Sequence, residues 1–396
     1  MAGNWANFPE VLLENITDRL ASLADRLCVA SVCRSWRYAL GADDRPRTYL
    51  PFLVLPDQEE EGRIGRFCLV DLSDQKVRRG LKLPLELSGW SAFGASHSWL
   101  GMMNDLDASA RLLDPFTGDV IVLPPVVDVR RSARLSSREP WFPVKLCLSS
   151  PEPGVDPGCV AVVIRGHTRS LAYALPGCDG PWMALDQQDI DGYDDVLYYK
   201  GTFYAISRDG VVVAADVITG SGSRDGHRDV PRLSHLRTAA ELMNWRADGR
   251  LLLAVHPDGD LVVVSMKEDN RSHAMGHLQV TQVGKIDMKR AVVEVMGDLG
   301  DCALFLGSSS CVSIRASQVK GGGCRESSIY FANDCRVPYR ASSTGHLVQV
   351  FVWSNGGSGW LYGSRKGSSF LNPPMWIAPR PWPGRPLRGY TLVASA

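Results

Sequence analysis

The sequence predicts a mainly β protein: a small N-terminal helical domain over residues 1–45, then a β-propeller over residues 46–396. Six blades are expected, with seven as the alternative count. Three observations predict this class. Helical periodicity fills the first forty residues and stops near Pro46. From about Thr48 onward, short β-branched and aromatic runs recur between Gly-centred breaks. An apolar-apolar-Asp-x-x-Thr-Gly pattern at Leu112 returns 102 residues later at Ala214.

The helical part comes first in the chain. Pro9 sits where a helix tolerates proline, at the first turn, since its missing N–H would have had no intrahelical partner. Leu12, Ile16 and Leu20 follow at i, i+4 and i+8 with Leu13 beside them, which makes one broad apolar stripe. Ser22 and Asp25 supply a cap for a second helix. Val29, Val32, Cys33, Trp36 and Leu40 then share one face, with Arg26, Arg34 and Arg37 mostly off it. A chain below roughly 40 residues seldom folds without a metal, a disulfide or a partner. No bridge or metal cluster is legible here, so stripes this wide predict an exposed interaction surface.

Phe8-Pro9-Glu10-x-Leu12-Leu13-x-x-Ile16-x-x-x-Leu20, then Asp25, then Val32-Cys33-Arg34-Ser35-Trp36-Arg37 resembles an F-box. Phe-Pro replaces the more usual Leu-Pro opening and keeps a large apolar side chain. The resemblance implies that Phe8, Pro9, Leu12, Leu13, Ile16, Leu20, Val32 and Trp36 dock on a Skp-type adaptor. Through that adaptor the chain would join a cullin-based ubiquitin ligase. The plainer alternative is an N-terminal helical cap on the following domain.

The β part reads as strands at 67–70, 159–164, 196–199, 203–206, 211–214, 251–255, 261–264, 329–331 and 347–353. Lys200-Gly201, Asp209-Gly210, Asp248-Gly249 and Pro257-Asp258-Gly259-Asp260 separate several of them and read as hairpin turns. Long helical patterns are missing after Leu40, which argues against a parallel α/β fold. The repeat joins Leu112-Leu113-Asp114-Pro115-Phe116-Thr117-Gly118 to Ala214-Ala215-Asp216-Val217-Ile218-Thr219-Gly220. Its offset fits two blades of roughly 50 residues. Phe67-Cys68-Leu69-Val70-Asp71 is a candidate third copy. A pair of β-sandwiches is the competing fold.

Several segments resemble the plant propeller family first catalogued as domain of unknown function 295. They begin at Leu113-Asp114-Pro115-Phe116-Thr117-Gly118, Asp195-Val196-Leu197-Tyr198-Tyr199-Lys200-Gly201, Gly300-Asp301-Cys302-Ala303 and Pro373-Pro374-Met375-Trp376. Asp114 stands where that family usually has Asn, and the opening of a fifth blade over 241–250 fits poorly. The resemblance implies a plant protein of nucleus or cytosol.

Composition excludes more than it identifies. Lys plus Arg and Asp plus Glu each number 43, so there is no general basic field for nucleic acid. The ten cysteines form no C-x-x-C pair, and Met1 to Glu10 has neither the basic nor the apolar region of a signal peptide. Reduced thiols are expected. No apolar run approaches the roughly 20 residues that span a bilayer, and no membrane partner is expected.

Enzyme signatures are absent: G-x-S-x-G, the P-loop and H-E-x-x-H do not occur. Gly220-x-Gly222-x-x-x-Gly226 and Gly357-x-Gly359-x-x-x-Gly363 read as propeller loops, since neither opens a helix after a strand. His273 and His277 have ligand spacing but no acidic or cysteine companion, and read as loop histidines. Asp57 with Glu59-Glu60-Glu61 reads as a solvated loop, and Gly321-Gly322-Gly323 as a flexible one. Trp360, Trp376 and Trp382 lie among prolines, which predicts an extended segment, not a central strand, that could lie against the first blade. No catalytic residue, cofactor or metal is expected. The leading functional expectation is a substrate receptor that presents an unknown target protein to the ligase. The alternative is a binding propeller that works outside any ligase, with a vestigial F-box.

Overall fold

The computed structural model describes residues 8–17, 19–20, 25, 29, 32–33, 35–36, 49–56, 67–72, 76–81, 90–104, 106–125, 143–166, 168–185, 190–219, 230–242, 245, 249–269, 277–307, 310–319, 323–333, 347–353, 357–363 and 374–379. Among the described residues the continuous helix α1 (Glu10–Thr17) precedes six antiparallel or mixed sheets.

Blade 1 takes β1 (Phe52–Pro56), β2 (Phe67–Asp71) and β3 (Lys76–Leu81), and borrows β26 (Met375–Ile377) from the far end of the chain. Blade 2 holds β4 (Trp90–Ser96), β5 (Trp99–Asn104), β6 (Ala110–Leu113) and β7 (Val120–Leu123). Blade 3 holds β8 (Pro143–Leu148), β9 (Ala161–Arg165), β10 (Ser170–Ala174) and β11 (Met183–Leu185). Blade 4 holds β12 (Tyr193–Tyr199), β13 (Thr202–Ser207) and β14 (Val211–Ile218), with β15 (Arg232–Leu233) and β16 (Arg237–Glu241) both on β14. Blade 5 holds β17 (Arg250–Val255), β18 (Leu261–Asp269), β19 (His277–Asp287) and β20 (Val292–Val295). Blade 6 holds β21 (Cys302–Gly307), β22 (Ser310–Arg315), β23 (Ser328–Asn333), β24 (Leu347–Val352) and β25 (Gly357–Gly363).

The innermost strands are β26, β4, β8, β12, β17 and β22, which approach one another around the axis. Blade 6 is irregular. Its chain enters at the second position, fills the innermost one through the β21–β22 hairpin, and returns to the third. That path makes β21 and β23 parallel.

The core explains why these strands read as continuous apolar runs. Buried residues fall into six clusters, one between each neighbouring pair of blades. In β1, Phe52 and Val54 face blade 2 while Leu53 and Leu55 face blade 6. Successive side chains point to opposite faces, so a sheet buried on both sides needs apolar residues at every position. The ring that results rules out a pair of sandwiches.

Backbone chemistry sets the hairpins. Lys200 and Gly201 join β12 to β13 with φ of 48° and 87°, the left-handed pair a two-residue type I′ hairpin needs. Gly94 marks a close approach between inner strands. A Cβ there would sit 2.7 Å from the amide nitrogen of Leu146 on β8.

The Asp repeat is positional. Asp71 and Asp114 stand at or just past the end of a third strand and Asp216 two residues before the end of one, each opposite the first residue of the second: Phe52, Trp99 and Thr202. Asp114 and Asp216 are two blades apart, as the period predicts. Their turns nevertheless differ. Asp114 folds back at once, its carboxylate accepting from Phe116 N at 2.8 Å and Ser98 Oγ at 2.7 Å. Asp216 stays within β14, where Thr202 Oγ1 donates at 2.6 Å and Arg237 Nη2 at 3.0 Å. The chain beyond Asp216 extends to pair with β15, so the two copies of the repeat do not make equivalent turns.

Two further expectations are corrected. The Gly357 to Gly363 run is strand β25, paired along β24, and not a loop. The C-terminal tryptophan segment is more than an extended flank: Met375 to Ile377 forms the innermost strand of blade 1. His277 opens β19. His273, Asp57, Glu59 to Glu61, Gly220 to Gly226, Gly321, Gly322 and Trp382 lie outside the described residues.

Candidate functional site

Two regions hold side chains that sheet packing alone does not explain. The first is α1. The carbonyl of Pro9 accepts from the amides of Leu12 at 3.0 Å and Leu13 at 3.1 Å, which starts the helix. Glu10 lies in its first turn, where the helix dipole favours negative charge. Thr17 Oγ1 donates to Glu14 O at 3.0 Å, and Arg19 N to Ile16 O at 3.1 Å, which closes it three residues short of Leu20.

Leu13 and Thr17, at i and i+4, form the inner side, and Leu13 is 1% exposed. The outer side is apolar: Val11 is 67% exposed, Leu12 50%, Ile16 43%, and Val32 beyond the helix 53%. Phe8 packs against Trp36, with ring centroids 5.5 Å apart. Phe8, Leu20 and Trp36 are half-buried, and Pro9 is exposed. The structure therefore assigns Leu13 to internal packing. Adjacent helical residues lie about 100° apart, and burial puts Leu13 on the inner edge of the stripe while Leu12 stays exposed. Sequence reasoning missed Val11, whose signal was its place one residue before the Leu12–Ile16 row. Asp25, Val29, Ser35 and Trp36 are helical; Ser22 and the arginines 26, 34 and 37 lie outside the described residues.

The second region is the propeller axis. Lys145 of β8 pairs with Asp195 of β12, both buried. Asp195 also accepts from Val196 N at 2.7 Å and from Leu253 N of β17 at 2.8 Å. Asp194 accepts from Leu251 N at 3.2 Å, and Arg169 Nε donates to Tyr193 O at 2.7 Å. One Asp-Asp step thus bolts blades 3, 4 and 5 together. Burial raises the Asp195 carboxyl, while Lys145 and the two amides oppose that shift. Burial disfavours the Lys145 ammonium, but Asp195 beside it outweighs this and holds its pKa above the ordinary lysine value.

Replacing Lys145 by Met should cost about 3–5 kcal/mol at neutral pH, because it strands a buried carboxylate. The raised carboxyl binds its proton more readily in the folded state, so stability recovers as pH falls through its folded pKa. Denaturation midpoints across acid pH check this; a loss that is small or independent of pH would refute the role.

Burial pushes the thiols of Cys147, Cys302 and Cys311 up to about 12, which keeps them protonated. Among the described residues no group of three His, Cys, Asp or Glu could hold a metal, and no helix is long and apolar enough to cross a membrane.

A short helical segment with exposed apolar side chains, followed by a closed six-bladed ring, defines a β-propeller protein. The KIB1-4 beta-propeller family matches residues 69–354, and the chain belongs to that family. The name domain of unknown function 295 is not the one this match carries. A protein of Arabidopsis thaliana whose name gives it as an F-box protein is 24% identical, covering 96% of this chain and 98% of its own. An F-box/kelch-repeat protein of Arabidopsis thaliana is also 24% identical, over 84% of each chain.

Proposed function

We propose that this chain is the substrate-recognition subunit of a Skp-cullin-F-box ubiquitin ligase. The observation that carries the reading is the exposure of Val11, Leu12 and Ile16 on α1, and of Val32 beyond it, in a chain whose relatives bear F-box names. The helical module docks on a Skp-type adaptor, and the propeller holds a target protein beside the ligase. Proximity then makes ubiquitin transfer effectively intramolecular, and the chemistry belongs to other subunits.

None of the described residues within 1–45 belongs to a blade strand, and the ring closes between β1 and β26. Deleting residues 1–45 should therefore end adaptor capture while the β unfolding transition stays close to that of the full chain. Pull-down of a recombinant adaptor and far-UV circular dichroism read the two effects. Adaptor captured by the truncated protein would remove the ligase reading and leave a propeller that binds its partner independently.

A further inference from the structure

We draw no further inference here: the strongest candidate, the outer edge of blade 5 where Val292 and Val295 of β20 stand exposed, carries nothing, because nothing in the structure shows what covers it.

Discussion

Changing Trp376 to alanine should destabilise the propeller by about 3–5 kcal/mol, the range for truncating a buried aromatic ring. Trp376 is 1% exposed at the centre of a three-residue strand, and three kinds of interaction converge on it. Its ring meets Phe305 edge-on with centroids 5.1 Å apart, within the cluster that joins blade 1 to blade 6. Its indole Nε1 donates to Leu306 O at 3.0 Å, and its amide donates to Ser310 Oγ at 2.8 Å. Its neighbours on β26 pair with β1, so this one residue couples both ends of the ring. Trp376→Phe should cost less, since it keeps an aromatic filler and loses chiefly the bond to Leu306. That leaves one buried carbonyl unsatisfied, worth about 1–3 kcal/mol. Chemical denaturation followed by far-UV circular dichroism measures both. A Trp376→Ala midpoint equal to the wild type would show that β26 does not close the ring.

The second large effect falls on α1. Leu12→Asp with Ile16→Asp should abolish capture of a Skp-type adaptor while leaving the propeller transition unchanged. The two side chains lie at i and i+4 on the outer side, and both are substantially exposed in the free chain. Burying each against a partner contributes roughly 1.5–3 kcal/mol. An aspartate at either site instead carries a charge into an apolar interface, which costs more than the lost contact. Leu13→Ala is the informative contrast. Because Leu13 is buried, its loss should weaken the module itself and lower both its helicity and its adaptor binding. A double aspartate variant that still pulls down the adaptor would remove the site assignment.

Much of this protein was legible before any coordinates. The strand runs at 203–206, 251–255 and 329–331 sit inside β13, β17 and β23. They were readable because blades buried on both faces select unbroken apolar sequence, and because turns such as Lys200-Gly201 need residues that adopt positive φ. The two-blade spacing of Asp114 and Asp216 was also readable, although the turns that follow them differ. The start of α1 was legible too, and Leu12 and Ile16 share its exposed side.

Tertiary structure decided the rest. Which neighbour pairs with β1 depended on a strand more than 300 residues later, and no local pattern carries a contact at that separation. The five-stranded path of blade 6 was hidden for the same reason, since β21 and β22 read like any other hairpin. Lys145 and Asp195 each look out of place in an apolar strand, and only their meeting across two blades makes either tolerable. The split between Leu12 and Leu13 needed the packed helix, because a stripe four residues wide does not say which edge faces inward. Local chemistry therefore determined the elements and their class, while the pairing of distant residues, which depends on chain closure and burial, decided the ring, its buried ion pair and the surfaces left free.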